Sequence, residues 1–217
     1  MDQSSMLRVT EIFHSIQGES SFAGQPCVFV RLTGCPLRCT WCDSEYTFYG
    51  GSAMAIEEIA AKVREYGCRL VEVTGGEPLH QPDGILLVQR LCEDGHQVLV
   101  ETSGAVDISG VDARAHVIMD VKCPGSGMVE RMRWDNLKLL RSKDEAKFVI
   151  KDRADYDWAC SILKQYDLAT QCQVLFGPVF GQLELRQLAE WILADGLQVR
   201  FQMQLHKYIW DPNMTGV

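Results

Sequence analysis

No uninterrupted apolar run in the chain approaches a membrane span, and no low-complexity, Pro-rich, Gly-rich or Ser-rich tract is long enough to act as a linker. A spanning helix takes about 20 consecutive apolar residues, so membrane insertion is not expected, and one domain over residues 1–217 is. Positive charge is also scarce: 21 Lys and Arg stand against 29 Asp and Glu, a formal net charge of −8. That disfavours a broad grip on nucleic acid or anionic lipid, and a small-molecule partner fits better. No charged-then-apolar leader opens the sequence, and the nine cysteines are an odd number. A secreted disulfide scaffold is therefore not the expectation. A reducing cytoplasm is, with cysteines serving as thiols or metal ligands. With 47% hydrophobic and 23% charged residues, the chain can bury a sizeable core, which excludes general disorder.

What is present is alternation. Short β-branched runs at Cys27–Leu32, Leu70–Val73, Gln97–Glu101, His116–Val121, Ala146–Ile150, Gln173–Phe176 and Gln198–Gln202 read as strands. Ile56–Tyr66, Ile85–Cys92, Tyr156–Gln165 and Leu183–Ala194 carry apolar residues at helical spacing. That order predicts an α/β fold with a parallel sheet. A complete eight-unit barrel takes about 250 residues, so an incomplete (β/α) barrel of roughly six or seven parallel strands is the better expectation. A doubly wound open sheet competes with it, because element order alone does not separate the two. In both, ligands bind at the carboxyl ends of the strands.

The densest chemistry follows the first of these strands: Cys35-Pro-Leu-Arg-Cys39-Thr-Trp-Cys42. Three thiolates on one loop can share a metal centre. A closed zinc site wants four ligands, yet His14 lies 21 residues before Cys35 and Cys68 lies 26 residues after Cys42. Three thiolates on a four-iron four-sulfur cluster instead leave one iron open to a ligand. A zinc loop completed from afar and buried thiols without metal remain the alternatives at this point. Further on, Val71-Glu72-Val73-Thr74-Gly75-Gly76-Glu77-Pro78 is a strand running into a glycine pair, where a ligand can approach the backbone.

The Cys-x3-Cys-x2-Cys spacing, with Trp41 before the last cysteine, resembles that of radical S-adenosylmethionine enzymes, and Gly75-Gly76-Glu77-Pro78 resembles their Gly-Gly-Glu-Pro motif. Flanking segments narrow the likeness. Glu11 to Ser20, Gly24-Gln25-Pro26, Phe29 to Cys35, Cys42-Asp43-Ser44, Val100 to Gly104 and Gln204-Leu205-His206-Lys207-Tyr208 resemble, in order, segments of the 7-carboxy-7-deazaguanine synthases. The resemblance implies a radical S-adenosylmethionine core in which Cys35, Cys39 and Cys42 hold a four-iron four-sulfur cluster. It implies S-adenosylmethionine contacts at Thr40, Trp41, Gly76, Glu77, Glu101, Ser103, Asp120, Val121 and Lys122. It further implies Mg²⁺ on the Ser44 hydroxyl, where the family carries threonine, and contacts to a small-molecule pterin at Ile16, Gln17, Gly18, Glu19, Arg31, Thr74 and His206. In the implied reaction a 5′-deoxyadenosyl radical takes hydrogen from C6 of 6-carboxy-5,6,7,8-tetrahydropterin. The ring then contracts, and ammonia is lost with regeneration of S-adenosylmethionine. A reductant such as flavodoxin and a homodimer are implied as well.

The pattern is not complete. Asp120-Val121-Lys122 stands where some members carry Ser-Pro-Lys, and Leu175 to Val179 offers no glutamine for their Gln-Pro. The chain continues past Pro212, so Pro212 presents no terminal carboxylate. Cys27, Cys68, Cys92, Cys123, Cys160 and Cys172 are scattered singly and read as structural thiols; Cys123 alone falls at a strand end expected to face the site. Two rival functions fit the cysteine loop by itself: an activase that installs a glycyl radical on a partner protein, and a zinc-stabilised binding module. The activase would not need the Gln-Gly-Glu and His-Lys-Tyr flanks.

Overall fold

The computed structural model describes residues 5–217. Its nine strands are β1 (Met6–Ile16), β2 (Pro26–Leu32), β3 (Ser52–Ala55), β4 (Leu70–Gly75), β5 (Gln97–Thr102), β6 (His116–Asp120), β7 (Glu145–Ile150), β8 (Gln173–Pro178) and β9 (Arg200–Phe201). They form one sheet in the order β3-β1-β2-β4-β5-β6-β7-β8-β9. From β2 to β9 every neighbouring pair is parallel. These are the seven strands that the hydrophobic pattern predicts.

A doubly wound sheet reverses its strand order at a switch point. Here the parallel strands follow chain order without reversal, and crossovers of a constant hand then fall on one face. The end strands β3 and β9 do not pair, so the sheet stays open. An incomplete barrel is the result.

Helices α1 (Ile56–Glu65), α2 (Gly84–Glu93), α3 (Arg153–Gln165) and α5 (Leu185–Ala194), with the single turns α4 (Leu168–Gln171) and α6 (His206–Ile209), complete the regular structure. Helix α1 buries Ile56, Ile59, Ala60 and Val63, the stripe its periodicity predicts. Asp152 caps α3 by accepting from the Asp155 amide. The main core joins these stripes to Val71, Val73, Val98, Val100, Val117, Met119, Phe148 and Phe176, one alternating face of the strands.

Two features depart from the sequence reading. Strands β1 and β3 pair antiparallel at the edge; β1 interleaves Arg8, Thr10, Glu11 and His14 with its apolar residues, so it makes no continuous hydrophobic run. The β5–β6 and β6–β7 connections carry no α-helix and the second runs through short 3-10 turns at Pro124–Ser126, Val129–Arg131 and Trp134–Leu139. Regular strand-helix alternation is therefore broken in the middle of the chain.

Candidate active site

The second face of the strands builds the site in layers. The lowest layer is apolar, a separate cluster of Phe13, Cys27, Phe29, Leu70, Leu99 and Ile118. Because strand side chains repeat every two residues, the next position on the same face is Arg31 after Phe29, Glu72 after Leu70, Glu101 after Leu99 and Asp120 after Ile118. Lys147 joins them from β7. All five line a cavity of about 830 Å³, in the upper range for small-molecule sites.

Cys35, Cys39 and Cys42 share the wall of this cavity, partly exposed and in no disulfide. The Leu37 amide donates to Cys35 Sγ at 3.4 Å. Their loop packs directly on the β4 turn: the Glu77 amide donates to the Gly34 carbonyl at 2.9 Å. A Cβ on Gly76 would lie 2.6 Å from both Cys35 Cβ and the Gly34 oxygen, so that position admits only glycine. Burial pushes the Cys35 and Cys39 thiols up, and metal binding must displace their protons. Among the described residues no three His, Cys, Asp or Glu side chains close around a single ion. Three soft donors spread along a cavity wall suit a larger multi-iron group.

Of the residues implied for S-adenosylmethionine, Trp41, Gly76, Glu101, Ser103, Asp120 and Lys122 line the cavity. The side chains of Thr40, Glu77 and Val121 do not. Thr40 Oγ1 is turned to the Gly125 carbonyl at 2.8 Å. Glu77 is fully buried as a strut, accepting from the Leu79 amide at 3.0 Å, Thr102 Oγ1 at 2.9 Å and the Ser103 amide at 2.7 Å. Val121 points into the helix-side core, as strand alternation requires one residue after Asp120. Asp120 and Lys122 do pair, Nζ donating to Oδ2 at 2.7 Å, but Asp120 Oδ1 is buried without a hydrogen-bond partner among the described residues. A buried acceptor left open on a residue that lines the cavity fits a ligand's hydroxyl or amine.

Ile16, Gln17, Gly18, Glu19, Arg31, Thr74, His206 and Ser44 line the same cavity. The Gln17 amide donates to Glu72. Gly18 lies against the imidazole of His206, where a Cβ would come within 2.1 Å of Nδ1. Arg31 Nε donates to Glu11 Oε1 at 2.9 Å. Burial opposes the Arg31 charge, but the neighbouring Tyr46 and Glu11 outweigh it and hold the guanidinium ionised. Ser44 Oγ stands 3.7 Å from Cys42 Sγ, at the edge of the cysteine loop.

Several site residues escape the sequence reading. Glu72 and Lys147 are buried polar residues on the concave face, and counting every second residue along β4 and β7 would have found them. Burial, reinforced by Glu101, pushes the Glu72 carboxyl well up. Asp43 accepts from Lys207 Nζ at 2.7 Å and Gln204 Nε2 at 3.1 Å, tying the cysteine loop to the C-terminal segment. Desolvation works against the Asp43 charge, but Lys207 and Gln204 win and hold its carboxyl at about 2. Pro212 and residues 213–217 also line the cavity. Cys123 is buried in the helix-side core and not in the site.

The Radical SAM superfamily profile matches residues 29–121. The 7-carboxy-7-deazaguanine synthase of Chlorobaculum tepidum is 48% identical over 220 residues, covering all of both chains. That of Koribacter versatilis is 45% identical over 97% of this chain and the whole of its own. Among solved structures, QueE from Escherichia coli superimposes with a TM-score of 0.76 at 24% identity, covering 93% of this chain and 95% of its own, which supports the open-barrel fold. Near-complete coverage at such identity, together with a cysteine loop placed at the strand ends, settles the family: the chain is a radical S-adenosylmethionine enzyme and belongs to the 7-carboxy-7-deazaguanine synthases.

Proposed function

We propose that this chain converts 6-carboxy-5,6,7,8-tetrahydropterin into 7-carboxy-7-deazaguanine and ammonia by radical ring contraction. Family membership brings a four-iron four-sulfur cluster and S-adenosylmethionine, which when bound supply a 5′-deoxyadenosyl radical able to take hydrogen from C6 of the substrate. One observation carries the reading: the cysteine triad, the strand-end residues Thr74, Gly76, Glu101, Ser103, Asp120 and Lys122, and the distant Gln17, Glu19, Arg31 and His206 line a single cavity.

In this reading Cys35, Cys39 and Cys42 hold the cluster. Trp41, Gly76, Glu101, Ser103, Asp120 and Lys122 hold S-adenosylmethionine, with the open Asp120 Oδ1 taking a hydroxyl or amine proton. Thr40, Glu77 and Val121 act behind them: Glu77 fixes the Ser103 amide, and the Val121 amide donates to the Lys147 carbonyl at 2.7 Å. Ile16, Gln17, the Gly18 backbone, Glu19, Thr74 and His206 receive the pterin ring, and Arg31 offers its guanidinium fork to the carboxylate. Ser44 contributes a hydroxyl oxygen to Mg²⁺, a hard cation suited to such a donor. The protein's work is to hold two reactants in register and keep competing hydrogen donors out. We further propose one domain that acts as a homodimer in the cytoplasm, reduced by a flavodoxin-type donor. No helix among the described residues is long and apolar enough to cross a membrane.

Anaerobic reconstitution with iron and sulfide, followed by turnover with carboxytetrahydropterin, S-adenosylmethionine, Mg²⁺ and a reductant, tests the reading. The expected result is 7-carboxy-7-deazaguanine formed only when all are present. Cleavage of S-adenosylmethionine with the pterin left intact would overturn the substrate; zinc at one per chain, without iron or sulfide, would overturn the cluster.

A further inference from the structure

Lys147 carries a full charge into the middle of the concave face with only 5% of its side chain exposed. Its Nζ donates to Glu19 Oε2 at 2.8 Å and also to Glu101 Oε1. The two carboxylates come from separate parts of the chain, Glu19 from the loop after β1 and Glu101 from the end of β5. They are 17% and 27% exposed, so the ammonium group lies beneath and the carboxylates face the cavity. Glu101 Oε2 keeps acceptor capacity toward the cavity, its protein contact being a long 3.4 Å one from Thr74 Oγ1. Glu19 Oε1 is steadied by Gln204 Nε2 at 3.0 Å.

The charges fit this arrangement. Burial works to strip the Lys147 proton, but Glu101 and Glu19 overcome it and drive its pKa far up. Burial opposes the Glu19 charge too, yet Lys147, helped by His206 and Gln204, holds that carboxyl below its usual range. Glu72, buried beside them and hydrogen-bonded to the neutral Gln17 amide, moves the other way.

We propose that Lys147 is a positioning residue that sets the register between the two reactants: one buried ammonium group joins Glu19, on the pterin side, to Glu101, on the S-adenosylmethionine side. The inference rests on the functional reading above, which assigns those two sides. Neither reactant touches Lys147. Its effect is geometric, because a shift of about 1 Å between reacting atoms costs on the order of 100-fold in rate. Without the ammonium group the two carboxylates repel, and the distance from the deoxyadenosyl carbon to C6 of the substrate is no longer fixed.

The test compares wild type, K147M, K147R and K147M/E19Q/E101Q after anaerobic reconstitution, reading iron content and the 5′-deoxyadenosine released per 7-carboxy-7-deazaguanine formed. Because S-adenosylmethionine is regenerated in a coupled cycle, wild type releases little 5′-deoxyadenosine. K147M is expected to load iron and to release at least about tenfold more per product, with K147R recovering most of the coupling. The triple variant removes all three charges, and so avoids leaving a buried charge unpaired. It is expected to fold where K147M does not and to remain uncoupled. A readout on the metal-free protein separates geometry from fold alone: relative to wild type, the melting temperature of K147M should gain as pH falls from 7 to 5, as its unpaired acids protonate, and that difference in slope should be lost in the triple variant, Glu72 and His206 being common to all three proteins. A wild-type ratio in K147M, or in the triple variant if K147M is unfolded, overturns the inference alone. A wild type that leaves the pterin untouched overturns the functional reading, and this inference with it.

Discussion

The close packing of Gly76 against the cysteine loop makes the site's sharpest prediction. Gly76→Ala places a methyl 2.6 Å from Cys35 Cβ and 2.6 Å from the Gly34 carbonyl, about 0.8 Å short of the 3.4 Å where ordinary contact begins. Neither neighbour is the end of a flexible side chain; both belong to the backbone of the cysteine loop and its first ligand. The loop must therefore move, and the Glu77 amide that holds Gly34 from the other side at 2.9 Å must follow or break. Overpacking of this kind costs about 1–3 kcal/mol. Displacing Cys35, the proposed cluster ligand, by nearly an ångström relative to the glycine turn should cost more in function than in fold, on the order of 100-fold in kcat. Thermal melting of the metal-free protein, iron and sulfide content after anaerobic loading, and single-turnover product formation measure the three effects separately. A variant with full iron content and turnover within about threefold of wild type would refute the claim that the cysteine loop and the glycine turn are one rigid unit.

Three other outcomes follow from the geometry. Arg31→Ala should raise the pterin KM about 10–100-fold, as expected for losing charge-assisted hydrogen bonds, while iron content stays at the wild-type level; an unchanged KM in steady-state kinetics removes Arg31 from the carboxylate. Asp43→Asn breaks the pair between a half-exposed carboxylate and the largely buried Lys207 side chain, which contributes about 1 kcal/mol, so melting should fall only slightly. Limited proteolysis should nevertheless cut the segment after Met203 faster than in wild type. His206 is held below its ordinary 6.5 by burial. Below that pH the unfolded chain binds a proton that the folded one does not, so this residue makes stability fall as pH falls from about 6.5 to 5. His206→Gln should flatten the slope of melting temperature over that interval, and an unaltered slope would assign the effect to other groups.

Much of the fold was legible because parallel strands buried on both faces announce themselves as short apolar runs, and seven of nine did so. Strand β1 did not, since Arg8, Glu11 and His14 interrupt its pattern between the antiparallel neighbours β3 and β2. The grouping of Cys35, Cys39 and Cys42 on one cavity wall was legible from spacing, because all three lie on one loop. The acids and the lysine beneath the cavity were not. Glu72 sits within an otherwise apolar strand and Lys147 beside Ala146 and Phe148, and nothing local says that either meets a partner more than 25 residues away. Thr40, Glu77 and Val121 show the converse: each falls inside a matching motif, yet its side chain turns away from the cavity because the neighbouring residue occupies the inward position.

By itself the sequence determined which donor atoms lie close along the chain: three soft thiols at fixed spacing, a glycine pair after a strand, and an ordered set of motifs running nearly the whole chain. Those are local properties, set by residue type and short separations. Only the tertiary structure decided which charges meet. Whether Lys147 joins Glu19 to Glu101, whether Asp120 keeps one oxygen open, and whether Asp43 reaches Lys207 depend on strand stagger and on loops brought together across the sheet. Distance in space decides an electrostatic contact, and separation along the chain carries almost none of that information.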